Sequence, residues 1–235
     1  MAEGKDDFRV VIDLEHAERE ARRVADLLAA LRKRHDLARY EYTRLIRICP
    51  AGATHSHPVL TLGTRFAETE DLLLSTYLHE QMHWYLWRLG GPDYDPIAPF
   101  FDELVRRYPK APTGLPEGAR NYEQTYLHLV VCWLEVAAAT ELIGHERAAA
   151  VAVSPWGYRW IYRTVLQDWD ALGALLAANA LLPMKTPLEL EADERGSRRK
   201  PRLTAVPRKT PPAGPPPRGR KSPRKPRVRG GKSAG

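Results

Sequence analysis

The stretch LHEQMHWYL (78–86) determines how the remaining sequence is interpreted. It lies in a mostly apolar run, from about residue 68 to 89, whose periodicity predicts a helix. Residues i and i+4 share one face of a helix, so the imidazoles of His79 and His83 can reach a single ion. The carboxylate of Glu80 is rotated by about 100° from His79, because a helix has roughly 3.6 residues per turn. The spacing therefore predicts a metal site with a carboxylate beside it.

The chemistry that this arrangement favours is hydrolysis assisted by zinc. A zinc ion polarises water, and Glu80 is placed to take the proton of that water as a general base. The residues around the motif are uncharged, which suits a site in the wall of a cleft. The plainer alternative is a pair of partly exposed histidines on an ordinary helix that binds no metal.

The sequence around the motif predicts an α+β fold with a small N-terminal sheet followed by a helical majority. Alternating apolar residues indicate strands, and apolar residues at helical spacing, ended by Gly or Pro, indicate helices. The predicted strands are 8–13, 41–49 and 58–65, and the predicted helical stretches are 15–35, 68–89, 97–108, 121–143, 145–153 and 157–181.

The motif and the strand before it resemble the zincin metallopeptidases, which carry HExxH on a helix. This resemblance implies that His79 and His83 are zinc ligands and that Glu80 is the base. It also implies that PVLTLGTR (58–65) is an edge strand that binds substrate through its backbone. The pattern is closest to the glutamate-zincins, but it lies outside the well-known subfamilies. Leu86 and Leu89 replace the Gly and His of HxxGxxH, and Glu135 is followed by Ala139 where ExxxD has Asp.

A catalytic zinc ion usually takes three protein ligands, so the third must come from elsewhere in the chain. The predicted helix 121–143 is apolar at its centre except for His128 and Glu135. These two lie seven residues apart, within about 20° of each other on one face, and they are rivals for the third ligand. Asp93 and Asp95 are further candidates. Without a metal, Glu135 would pair with an arginine, and the ring of His128 would bond a backbone carbonyl.

Other residues give weaker signals. Cys132 shares roughly the face of the two rival ligands, and a free cysteine at such a position is typical of core packing. Several other side chains are candidates to line the cleft or to donate a hydrogen bond to a developing oxyanion. They are His55, His57, Tyr126, Tyr158 and Tyr162.

The charge of the chain is divided between two parts. Of 36 Lys and Arg, 15 lie from Arg195 onward, where there is no Asp or Glu. The preceding part holds the other 21 against 29 acidic residues. We therefore expect one zincin-like domain over 5–190 and a disordered Pro/Lys/Arg-rich basic tail over 195–235. Such a tail can bind nucleic acid through phosphates or hold an acidic partner.

The remaining signals concern location. The two cysteines form no CxxC pair, and no basic segment followed by an apolar run marks the N-terminus. No run of 18 or more apolar residues lacks a strongly polar side chain. The sequence therefore predicts a cytoplasmic protein without a membrane span.

Together these features predict a zinc-dependent hydrolase, most simply a metallopeptidase that acts on a protein or peptide. The alternative is a non-catalytic zincin-like binding protein, tethered to nucleic acid or to an acidic partner by its basic tail. An intact Glu80 favours the enzyme, because a protein that only binds has no need of the base.

Overall fold

The computed structural model describes residues 7–12, 18–65, 67–90, 95–154 and 157–199. Most of the predicted basic tail and the candidate ligand Asp93 lie outside these ranges.

The strands form a three-stranded parallel sheet in the order β1-β2-β3. Strand β1 is Arg9–Ile12, β2 is Leu45–Ile48 and β3 is Leu60–Leu62. Helix α1 (Glu18–Arg34) lies between β1 and β2 in the sequence, and such a crossover is what two parallel neighbours require. Its buried residues recur at helical spacing, which packs one face of the helix into the core; they are Ala21, Val24, Leu28 and Leu31.

Helices make up most of the remaining described chain. They are α2 (Glu70–Gly90), α3 (Phe101–Arg107), α4 (Tyr122–Ile143), α5 (His145–Ala152), α6 (Arg159–Gln167), α7 (Trp169–Ala178) and α8 (Pro187–Arg199), with 3₁₀ turns at Leu37–Tyr40 and Ala98–Phe100. The predicted fold class, a small N-terminal sheet followed by a helical majority, is confirmed.

Helices α2 and α4 pack against each other and form the centre of the molecule. Helix α4 begins where the Asn121 side chain accepts a hydrogen bond from the Gln124 N–H at 2.8 Å, and it ends at Gly144. Gly144 has φ 84°, a conformation that favours glycine. Since these signals are local, the sequence predicted both ends of α4.

The structure differs from the sequence prediction in its C-terminal part. The stretch predicted as one helix over 157–181 is two helices, α6 and α7, which meet at Asp168. The side chain of Asp168 accepts a hydrogen bond from the Tyr108 hydroxyl at 2.9 Å, which holds the junction against the α3 end. Helix α8 was not predicted, and it extends past residue 190, the predicted end of the domain.

Helix α4 is the one described helix that is long and apolar enough to cross a membrane by length and composition. The protein buries 67% of its most apolar window, and a core helix passes the same test. The predicted absence of a membrane span and the predicted cytoplasmic location remain predictions.

Candidate metal centre

Three histidines from the two central helices meet at one point. His79 and His83 lie one turn apart on α2, and His128 faces them from α4. The ring centroids are 5.2 Å apart for His79 and His83, 5.4 Å for His79 and His128, and 5.1 Å for His83 and His128. One ligand atom from each ring lies within 4.8 Å of the other two, so this group can hold a metal ion.

The ring of His128 is oriented by its own helix. Its Nδ1 lies 2.7 Å from the carbonyl oxygen of Gln124, which leaves Nε2 for the cluster. Burial, followed by the charge of His79, lowers the pKa of His128 to about 3. Burial, followed by the charges of His79, His128 and His57, also lowers the pKa of His83 well below its usual value. Both rings are therefore neutral near pH 7, which is the form that binds a metal.

Glu135 contacts His79 and belongs to a different group of possible ligands from His83 and His128. Its Oε2 is 2.9 Å from Nδ1 of His79 and accepts a hydrogen bond from the Tyr162 hydroxyl at 2.8 Å. Its Oε1 accepts a short hydrogen bond from the Ser75 hydroxyl. The side chain is 1% exposed, and these three groups occupy both of its oxygens. The arrangement fits a carboxylate that orients a ligating histidine.

Cys132 lies on the same side of His79 as Glu135. Its Sγ is 3.9 Å from Nδ1 of His79, and the residue is fully buried. His79, Cys132 and Glu135 therefore form a second group whose ligand atoms lie within 4.8 Å of one another. Burial disfavours the protonated form of His79, but the hydrogen bonds and charges of Cys132 and Glu135 together raise its pKa well above its usual value.

Glu80 opens onto a cleft of about 340 Å³ that reaches His79. Burial raises the pKa of Glu80, and the nearby His79 and His55 partly oppose that shift. Leu115 and Gly157 also line the cleft. The predicted base thus has access to a space in which a substrate can lie.

Tyr158 also lines this cleft and contacts the histidine cluster. Its ring centroid is 4.6 Å from that of His128 and 6.0 Å from that of His79. Its backbone is left-handed (φ 60°, ψ 31°), which costs a residue other than glycine about 1–2 kcal/mol. Burial raises the pKa of Tyr158, so its hydroxyl keeps its proton and can donate it in a hydrogen bond.

The other candidate hydrogen-bond donors are used elsewhere. The hydroxyl of Tyr162 donates to Glu135, which corrects its predicted role as an oxyanion donor. The hydroxyl of Tyr126 donates to the carbonyl of Tyr108 at 3.0 Å. Among the described residues, the groups able to hold a metal do not include Asp95, whose carboxylate accepts the Ile97 N–H at 3.0 Å.

The two loop histidines lie beside the centre without joining it. The backbone of His55 pairs with Thr61 of β3, and its Nδ1 lies 2.8 Å from the Ala53 carbonyl oxygen. The ring of His57 stacks on Trp84 with centroids 4.3 Å apart, and burial lowers its pKa. The backbone of Thr61 is already paired, so it cannot pair with the backbone of a substrate. This corrects the predicted substrate-binding role of strand 58–65.

The sequence did not lead us to two of the hydrogen bonds to Glu135, one from Ser75 and one from Tyr162. Ser75 precedes His79 by four residues on α2, so its place on the same helix face could have been predicted. The contact between Tyr162 and Glu135 joins α6 to α4, and the sequence carries no local sign of it.

Comparisons of the chain with protein-family models, with curated proteins and with solved structures found no match.

Proposed function

We propose that the protein is a zinc-dependent hydrolase, most simply a metallopeptidase, that uses Glu80 as its general base. One observation carries this proposal: the nitrogens of His79, His83 and His128 converge beside a carboxylate that opens onto a cleft. The resemblance of the motif to that of the zincins agrees with it.

The donor set fits zinc. Three imidazole nitrogens with one position left for water or substrate are an established ligand set of catalytic zinc sites. The Nδ1 atoms of His79 and His128 already bond Glu135 and a backbone carbonyl, so the Nε2 atoms remain for the metal. A bound zinc ion supplies a Lewis acid that lowers the pKa of water and polarises a carbonyl group.

We assign the remaining roles, which are proton transfer, oxyanion binding and ligand orientation, to residues of the protein. A carboxylate oxygen of Glu80 accepts the proton of the attacking water, and its raised pKa suits this transfer near neutral pH. In this proposal the hydroxyl of Tyr158, a residue that lines the cleft, donates a hydrogen bond to the developing oxyanion. Glu135 fixes the orientation of His79 through Nδ1, which makes it a positioning residue in our proposal and leaves His128 as the third ligand.

The test uses the full chain, its zinc content and the variant Glu80→Gln. We expect about one zinc per chain. We also expect the chain to cleave peptides in unlabelled mixtures, which mass spectrometry detects. The variant should keep its zinc, because Glu80 is not a ligand, and lose activity by about 10²–10⁴-fold.

Two outcomes would contradict the proposal. A purified chain that contains no zinc and takes up none on titration is not a zinc enzyme. A chain that binds zinc and cleaves nothing, with or without Glu80, supports the alternative of a non-catalytic binding protein.

A further inference from the structure

The outer edge of β3 is occupied by the chain itself. The Thr61 N–H donates to the carbonyl of His55 at 2.8 Å, and the His55 N–H donates to the carbonyl of Thr61 at 3.0 Å. The two residues form an antiparallel bridge, so both backbone groups that Thr61 could offer to a substrate are used.

The loop that supplies His55 also packs tightly at the next outward position, Gly63. The Gly63 N–H donates to the hydroxyl of Thr54 at 3.0 Å. A Cβ at Gly63 would lie only 2.6 Å from the carbonyl oxygen of Gly52. A paired peptide strand needs a spacing of about 4.8 Å, and the loop already fills that space.

The space that remains is the cleft beside Glu80, and part of its wall is apolar. Leu115 lines it and is 58% exposed, so its apolar side chain is accessible from the cleft. Gly157 lies against Leu115, since a Cβ added there would be 3.2 Å from a Leu115 methyl group. The volume of the cleft, about 340 Å³, lies near the lower end of the range for small-molecule pockets, which is about 300–1,000 Å³.

From these observations we infer that the site takes a compact substrate: an amide whose single apolar side chain packs on Leu115, bound without strand pairing to β3. This inference rests on the proposed hydrolase function and narrows it. Short peptides or small acylated amines fit the cleft, whereas an extended polypeptide strand has no backbone partner at Thr61.

Hydroxamates test the inference because they bind zinc without needing a known substrate. The first probe is acetohydroxamate, the second carries a leucine-like isobutyl group, and the third adds glycine residues to the second. The glycines offer only backbone for pairing. Affinities are measured by calorimetry on the full chain, with and without zinc.

We expect the isobutyl probe to bind at least about tenfold more tightly than acetohydroxamate, which is the gain from burying a leucine side chain. The added glycines should change the affinity by less than about threefold, because they find no paired backbone. Leu115→Ala should abolish most of the isobutyl gain and leave acetohydroxamate unchanged.

Leu188→Ala is the matched control, since Leu188 is 66% exposed on α8 and does not line the cleft. It should leave all three affinities unchanged. Gly157→Ala is a second variant that narrows the cleft, and it should weaken the isobutyl probe more than acetohydroxamate.

The outcomes separate this inference from the proposed function. Two results would overturn the inference without contradicting the proposed hydrolase function. One is zinc-dependent binding whose affinity does not change in Leu115→Ala. The other is an affinity that rises by about tenfold or more when the glycines are added. Binding of the isobutyl probe that depends on Leu115 but not on zinc would support the cleft and contradict the zinc site. No binding of any probe to the zinc-loaded chain would overturn the inference.

Discussion

Two buried glutamates, one beside the sheet and one between the central helices, are held in different ways. Glu41 is 2% exposed and accepts two hydrogen bonds from the Arg32 guanidinium, at 2.7 and 3.0 Å, and one from Tyr77 at 3.2 Å. Glu135 is 1% exposed and is held by His79 and by the hydroxyls of Ser75 and Tyr162.

The difference lies in the cation that meets each carboxylate. Arg32 is always protonated, so the charge of Glu41 is balanced permanently. The charge of Glu135 is met by His79, which is cationic only when its ring is protonated. Glu41 therefore serves the fold, whereas Glu135 is linked to the state of the site.

The largest effect should come from removing a proposed metal ligand. We expect His83→Ala and His128→Ala to abolish stoichiometric zinc binding, as measured by competition with a chromophoric chelator. Glu135→Gln should weaken zinc binding by about 10–100-fold, the range for a residue that orients a ligand. Glu41→Gln is the control, and its zinc affinity should equal that of the wild type. If Glu135→Gln loses zinc more completely than His128→Ala does, the carboxylate is the third ligand.

The second prediction concerns the free energy of unfolding. Glu41→Gln should lower it by about 3 kcal/mol, the lower end for breaking a buried ion pair, because Arg32 keeps some contact with solvent. Urea denaturation of the metal-free proteins measures this loss. An equal stability for Glu41→Gln and the wild type would show that the pair contributes nothing to the fold.

If the proposed site binds zinc in the folded chain and not in the unfolded chain, zinc should stabilise the fold. At a free zinc concentration of 100 times Kd, the gain is about 2.7 kcal/mol. Thermal unfolding should give a higher melting temperature with zinc than with a chelator, both in the wild type and in Glu41→Gln. His83→Ala should melt at the same temperature in both conditions, and a zinc-dependent shift in that variant would place the ion elsewhere.

The smallest expected effect concerns one hydrogen bond to Glu135. Tyr162→Phe removes a bond worth about 1 kcal/mol, and an equal loss at the metal corresponds to roughly fivefold weaker zinc binding. Tyr42→Phe is the matched control, because its buried hydroxyl donates to the Lys185 carbonyl at 2.9 Å, away from the centre. Equal zinc affinities in the two variants would show that Tyr162 supports the fold alone.

Local sequence signals predicted much of the fold. The apolar periodicity and the residues Asn121 and Gly144 marked both ends of α4, because capping depends on neighbours in the chain. The join between α6 and α7 at Asp168 carried no such signal, since the apolar pattern continues across it. A contact with Tyr108, sixty residues away in sequence, accompanies that break.

In the candidate site, too, some features follow from local sequence and others from tertiary packing. The sequence by itself determined that His79 and His83 share a face of α2 with Glu80 beside them, because helical geometry fixes that relation within five residues. It also placed His128 and Glu135 on one face of α4, but a shared face cannot say which side chain reaches the other helix. Only the packing of α2 against α4 decided that His128 joins the imidazoles and that Glu135 contacts Nδ1 of His79. The pairing of His55 with Thr61 was likewise decided by tertiary structure, because contacts between distant segments depend on packing that no local pattern encodes.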